Sequence, residues 1–157
     1  MKLAVVVVGR VRGPLAEAVA EYETRAARYW KLEVVEVAEG FRGGRNARPE
    51  EVRRAEGERL LAAVPTGLEL VALDVGGRGL SSEELAARLQ EHALRASPGL
   101  AFVVGGAHGL SEDVLAAAAQ RLTLGPMTLP HEMARLVLAE QIYRAGTIVR
   151  GEPYHKG

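Results

Sequence analysis

Short apolar, β-branched runs alternate along this chain with longer segments whose apolar residues recur every three to four positions. The runs at 3–8, 32–37, 68–73 and 100–104, with a weaker one at 122–124, read as five strands. Between and after them, 15–30, 49–64, 83–95, 112–119 and 131–148 have helical length and period. Runs 3–8 and 100–104 are apolar on both faces, as strands of a covered parallel sheet are, whereas Glu33 and Glu36 break the second run and make it the edge strand. Helix-start chemistry agrees with the periodicity. Ser81 and Glu84 form a capping box, Ser111 caps the fourth helix with Leu110 and Leu115 as its staple, and Pro49 suits a first turn followed by Glu50 and Glu51. The expected fold is a single α/β domain over residues 1–157, a mainly parallel sheet of five or six strands with helices on both faces.

Composition narrows the chemistry. At 157 residues, 48% hydrophobic and 25% charged, the chain has the makeup of one globular core. Twenty basic residues balance twenty acidic ones, so an RNA site has to be a local patch rather than a global field. The absence of cysteine excludes disulfides, thiolate zinc sites and a cysteine nucleophile. After the short apolar start, Gly9, Arg10, Val11 and Arg12 stand where an export signal needs more apolar chain, so neither an export signal nor a membrane span is expected.

Four stretches can carry function. Val103–Ser111 is a strand end, a glycine-rich turn and a capped helix, a place where backbone N–H groups meet a ligand or where the chain simply turns. It lacks the dinucleotide glycine pattern, because Ala107 and Leu110 occupy two of the required positions, and no phosphate-binding Gly-Lys-Ser/Thr loop exists. Leu73, Asp74, Val75, Gly76, Gly77, Arg78 and Gly79 end another strand, where Asp74 either accepts a ligand hydrogen bond or closes its own turn; the glycines suggest a mobile loop. The stretch 122–131 is too apolar for a solvated loop and suits a flat heterocycle or a buried connection. Finally, Glu140 and Arg144 pair on the last helix, and Tyr154, His155 and Lys156 cluster in a tail able to stack on a base and meet a phosphate. The four histidines lack metal-site spacing, so no metal is expected, and no Gly-x-Ser-x-Gly elbow supports a serine hydrolase.

Together, Leu73-Asp74, Phe102 to Leu110, Met127 to His131, Glu140 to Ala145 and Pro153 to Lys156, with Phe41 to Ala47 and Glu56 to Leu60, resemble the ribosomal RNA large subunit methyltransferase H family of the SPOUT, or α/β-knot, class. The likeness spans essentially the whole chain. It implies a cytoplasmic homodimer with a C-terminal trefoil knot. It further implies that S-adenosylmethionine serves to methylate N3 of pseudouridine 1915 in helix 69 of 23S ribosomal RNA, on assembled ribosomes, with one subunit's tail completing its partner's pocket. Cofactor contacts would then fall on Leu73, Gly105, Leu124, Gly125, Pro126, Met127, Thr128 and Leu129. Two positions depart from the family pattern: Gly125, often serine, and His108. On this reading Tyr154 and Lys156 orient the acceptor base, His131 or His155 takes its proton, and Arg144 holds Glu140 or a phosphate. Arg42, Arg45 and Arg48 form the basic segment that would meet RNA. A SPOUT enzyme acting on transfer RNA, or a ribosome-binding assembly factor without catalysis, are the alternatives.

Overall fold

The computed structural model describes residues 1–40 and 46–155, with the His155 side chain left aside. Arg42, Arg45 and Lys156 therefore lie outside the described residues. Strands β1 (Lys2–Val8), β2 (Lys31–Val37), β3 (Glu69–Gly79), β4 (Gly99–Val104) and β5 (Gln120–Thr123) alternate with helices α1 (Ala16–Ala26), α2 (Pro49–Ala63), α3 (Ser82–Leu94), α4 (Glu112–Ala117) and α5 (His131–Val149). The sheet is wholly parallel in the order β2-β1-β4-β3-β5, which puts β2 at an edge as its glutamates required.

Successive residues of β1 supply both layers of the core. Leu3, Val5 and Val7 face α1, α3 and α5, whereas Ala4, Val6 and Val8 face α2 and α4. This division follows from right-handed crossovers. β1 to β2 and β3 to β4 step one way along the sheet and place α1 and α3 on one face; β2 to β3 and β4 to β5 step the other way and place α2 and α4 opposite. α5 then returns from the β5 edge across the first face, packing on both α1 and α3.

The capping chemistry is as the sequence suggests: Ser81 Oγ accepts from Glu84 N at 3.0 Å while Glu84 accepts from Ser81 N at 2.7 Å, and Ser111 Oγ accepts from Val114 N. Two elements differ from expectation. The first helix starts as a 3-10 turn at Gly13–Leu15 and ends at Ala26, where shorter-range bonds tighten the chain as far as Trp30. The stretch after Leu73 is not a free loop. β3 runs on to Gly79, and Leu122 of β5 is registered against both Leu73 and Arg78, so residues 74–77 bulge out between two paired ends.

α5 carries a charge on its buried stripe. Arg135, 8% exposed, donates from Nε and Nη2 to both carboxylate oxygens of Glu23 in α1, at 3.1 and 2.9 Å. Its Nη1 donates to Glu36 of β2 at 2.6 Å. The guanidinium thus ties the last helix to the first helix and the edge strand. Arg135→Met keeps bulk but strands two carboxylates; it should cost about 3 kcal/mol in urea unfolding, a fall in Tm of roughly 10 °C for a domain of this size.

Candidate active site

All five strands end at the same edge of the sheet, and β3 and β4 send their chains to opposite faces there. Such a divergence opens a crevice between neighbouring strand ends. The crevice holds a cavity of about 510 Å³, within the range of small-molecule sites. Its wall comes from the start of the β3 bulge (Leu73, Asp74, Val75), the turn after β4 (Gly105, Gly106, Gly109) and the segment after β5, and closes on His131 and Ala134 at the head of α5.

Each wall has a local cause. A Cβ on Gly105 would come within 2.8 Å of the Gly109 carbonyl carbon, so only glycine lets the turn fold this tightly. The turn is held by Gly109 N donating to Gly106 O at 3.1 Å. Beyond β5, Thr123 Oγ1 accepts from Gly125 N at 3.2 Å and donates to Gly125 O at 2.7 Å, fixing the start of the apolar segment. Gly125 has φ 137°, a conformation that disfavours a side chain, and the neighbouring Thr123 brings a hydroxyl into the loop.

Among the described residues the lining is apolar apart from backbone, two threonines, one imidazole and one carboxylate. Asp74 makes no hydrogen bond to its own turn among the described residues; its Oδ2 lies 3.9 Å from Arg121 Nη1 at the rim. Val75 and Met127 also line the cavity yet are 52% and 79% exposed. A second cavity of about 460 Å³ lies across the shared wall Leu122, Thr123, Leu124 and Gly125, beside Ser81, Ser82 and Gln141.

Of the residues singled out from the sequence for cofactor contact, Leu73, Gly105, Leu124, Gly125, Met127, Thr128 and Leu129 all line the first cavity; Pro126 is exposed and does not. His131 lines it too, whereas His108 is exposed outside it. Tyr154 and Arg144 do not line this cavity. Arg144 donates from Nε and Nη2 to Glu140 Oε1 at 3.0 and 2.6 Å and lies over the Tyr154 ring, whose hydroxyl donates to the same oxygen at 3.1 Å. Arg48 is exposed at the start of α2. Asp74 is a residue the sequence points to, whereas its neighbour Arg121 and the Arg135 anchor are not, although a charge among the apolar positions 134, 138, 139 and 142 of α5 is a readable signal.

Burial, with the neighbouring Tyr22 hydroxyl and Glu140 carboxylate, pushes the Tyr154 phenol above its ordinary value of 10.0. It remains a neutral hydrogen-bond donor. Arg144 is likewise raised by its bonds to Glu140 and stays a cation.

Gly105→Ala should weaken small-molecule binding to the cavity at least about tenfold, measured calorimetrically, because the turn must open to admit the methyl. The folded pKa of Tyr154 lies above the unfolded one, so its contribution to stability is whole below about pH 10 and declines above it, as only the unfolded chain surrenders the proton. Urea unfolding at rising pH should therefore show wild type losing stability more steeply than Tyr154→Phe beyond that point.

Known proteins bear on this arrangement. The family described as "Predicted SPOUT methyltransferase" matches residues 1–155. Proteins named ribosomal RNA large subunit methyltransferase H are 52% identical in Gemmatimonas aurantiaca, over 99% of this chain and all of that one, and 46% in Syntrophotalea carbinolica, over 99% of each. The Pelotomaculum thermopropionicum relative of the same name is 47% identical over 98% of each chain. Among solved structures, a probable methylase family protein from Haemophilus influenzae superposes with a TM-score of 0.53 at 12% identity, covering 99% of this chain and 70% of the other. TrmJ from Z. mobilis gives 0.50 at 18%, covering 92% and 70%. These two support the α/β methylase fold alone. With full-length relatives at this identity and a family match over nearly every residue, the chain belongs to the SPOUT methyltransferases and, within them, to the ribosomal RNA large subunit methyltransferase H family.

Proposed function

We propose that this chain transfers a methyl group from S-adenosylmethionine to N3 of a pseudouridine in the helix 69 loop of 23S ribosomal RNA, on the assembled ribosome. On this reading it acts as a cytoplasmic homodimer whose C-terminal segment is threaded as a trefoil knot. The observation that carries the reading is the meeting of three sequence-distant stretches at the strand ends in one apolar cavity with a single carboxylate. Relatives named for ribosomal RNA methyl transfer support the substrate class.

The residues present fit that cofactor. Backbone N–H and C=O groups of the Gly105–Gly109 turn and the 124–129 segment suit the edge of a flat heterocycle, and the apolar walls suit its faces. Asp74, the one carboxylate lining the cavity among the described residues, favours a cationic ligand in a low-dielectric slot. When bound, S-adenosylmethionine supplies a methyl group activated by an adjacent sulfonium. What the protein adds is alignment and exclusion of water, and well-oriented reactants gain on the order of 7–11 kcal/mol from orientation alone.

The acceptor nitrogen carries a proton that has to leave. His131 stands at the cavity wall and is the side chain there suited to receive it. Tyr154, kept neutral, donates a hydrogen bond to the base, and Lys156 adds positive charge that favours the anionic ring. Within one chain Tyr154 lies in a 3-10 turn beyond the end of α5, bonded to Glu140 rather than placed in the cavity, and on this reading the tail serves the partner's site. The exposed Val75 and Met127 are then the surface that a partner's tail and the RNA cover. Arg48, with Arg42 and Arg45 of the same segment, meets phosphate.

Methyl transfer from radiolabelled cofactor to assembled ribosomes, free ribosomal RNA and transfer RNA tests the reading. Label in ribosomes, mapped to N3 of the helix 69 pseudouridine, is expected. Label in transfer RNA identifies a different SPOUT specificity, and cofactor binding without any transfer identifies an assembly factor. His131→Gln should lower kcat by about 10²-fold; an unchanged rate and pH profile removes it as the proton acceptor. Replacing Arg48 should reduce the salt slope of RNA binding by roughly one.

A further inference from the structure

Helix α2 carries a carboxylate that nothing above employs. Glu56 is only 4% exposed, on the buried stripe that continues to Gly57 and Leu60. Its Oε2 accepts from Gly40 N at 2.8 Å, whereas Oε1 has no hydrogen-bond partner among the described residues. A buried carboxylate oxygen without a donor is costly and needs an explanation. That oxygen faces the back of the cavity wall: a Cβ on Gly106 would stand 3.0 Å from Oε1 and 3.2 Å from Oε2. Gly106 lines the cavity, and Glu56 does not.

α2 supports the same turn in a second place. Arg53 Nη1 donates to the carbonyl of His108 at 3.4 Å. On the other side of Glu56, Arg59 Nη1 donates to the carbonyls of Ala38 and Gly40, at 2.8 and 2.7 Å. One rigid helix therefore backs the glycine turn and holds the chain entering residue 40, with Glu56 at the point where the two meet.

We propose that Glu56 is a positioning residue for the cavity. Its open Oε1 accepts a hydrogen bond from a backbone N–H of the Gly105–Gly109 turn when the cofactor is bound, holding the turn in the arrangement the cofactor requires. Glutamine has the shape of glutamate but turns one of the two acceptor positions into an NH2 donor, so Glu56→Gln faces an N–H of either Gly40 or the turn with a donor instead of an acceptor. The inference rests on reading the cavity as the S-adenosylmethionine site.

The test is calorimetric titration of the full-length chain with S-adenosylmethionine, well below melting temperatures measured by circular dichroism. Wild type should bind, and Glu56→Gln should bind about tenfold more weakly. In turnover assays KM for the cofactor should rise while kcat stays within about twofold. Wild-type affinity in Glu56→Gln overturns the proposal, including the case in which Tm falls but affinity does not, since that is a purely structural role. If Glu56→Gln does not fold, Glu56→Asp decides: it keeps both acceptor oxygens but withdraws them from the turn by one methylene, so weakened binding supports the proposal and unchanged binding overturns it. No binding by the wild type sinks the reading of the cavity itself, and this inference with it.

Discussion

A parallel sheet with right-handed crossovers is the constraint from which the rest of this molecule follows. It brings every strand to an end at one edge, and the direction of each crossover decides which face the departing chain takes. Because β3 leaves toward α3 and β4 toward α4, on opposite faces, the strand ends separate and leave a crevice that no side chain has to be carved to make. The bulge between Leu73 and Arg78 then turns one carboxylate, Asp74, into that crevice.

Two buried charges hold the scaffold around the crevice. Arg135 binds α5 to α1 and β2 through a fork that only guanidinium geometry satisfies, and so fixes the helix whose first residue is His131. Glu56 does the corresponding job on the other face, where α2 backs the turn after β4. Each sits on a buried stripe of its helix among apolar neighbours. The walls of the cavity are thus backed by residues that do not line it.

The elements themselves were legible in the order of residues. All five strands, the edge position of β2 and the caps at Ser81 and Ser111 follow from period, burial and local hydrogen bonding. The three cavity walls were also visible as glycine-rich or apolar stretches at strand ends, although nothing short of the fold shows that residues 73, 105 and 124 meet. Features made by pairing across distance are not legible in the sequence. The bulge after Leu73 looks like a free glycine loop until β5 is laid against it, and the first helix loses its last residues to a tightened turn. Glu56 and Arg135 are ordinary charged residues in a list, and become anchors only when α2 and α5 are docked.

The central claim is that the crevice at the ends of β3, β4 and β5 receives the adenosyl methyl donor. A crystal structure of the chain with S-adenosylmethionine decides it most directly. The account predicts the ligand between Leu73–Val75, Gly105–Gly109 and Leu124–Leu129, with Asp74 and His131 at its margin. Density in the neighbouring cavity beside Ser81, Ser82 and Gln141, or at any site away from these three stretches, would contradict it.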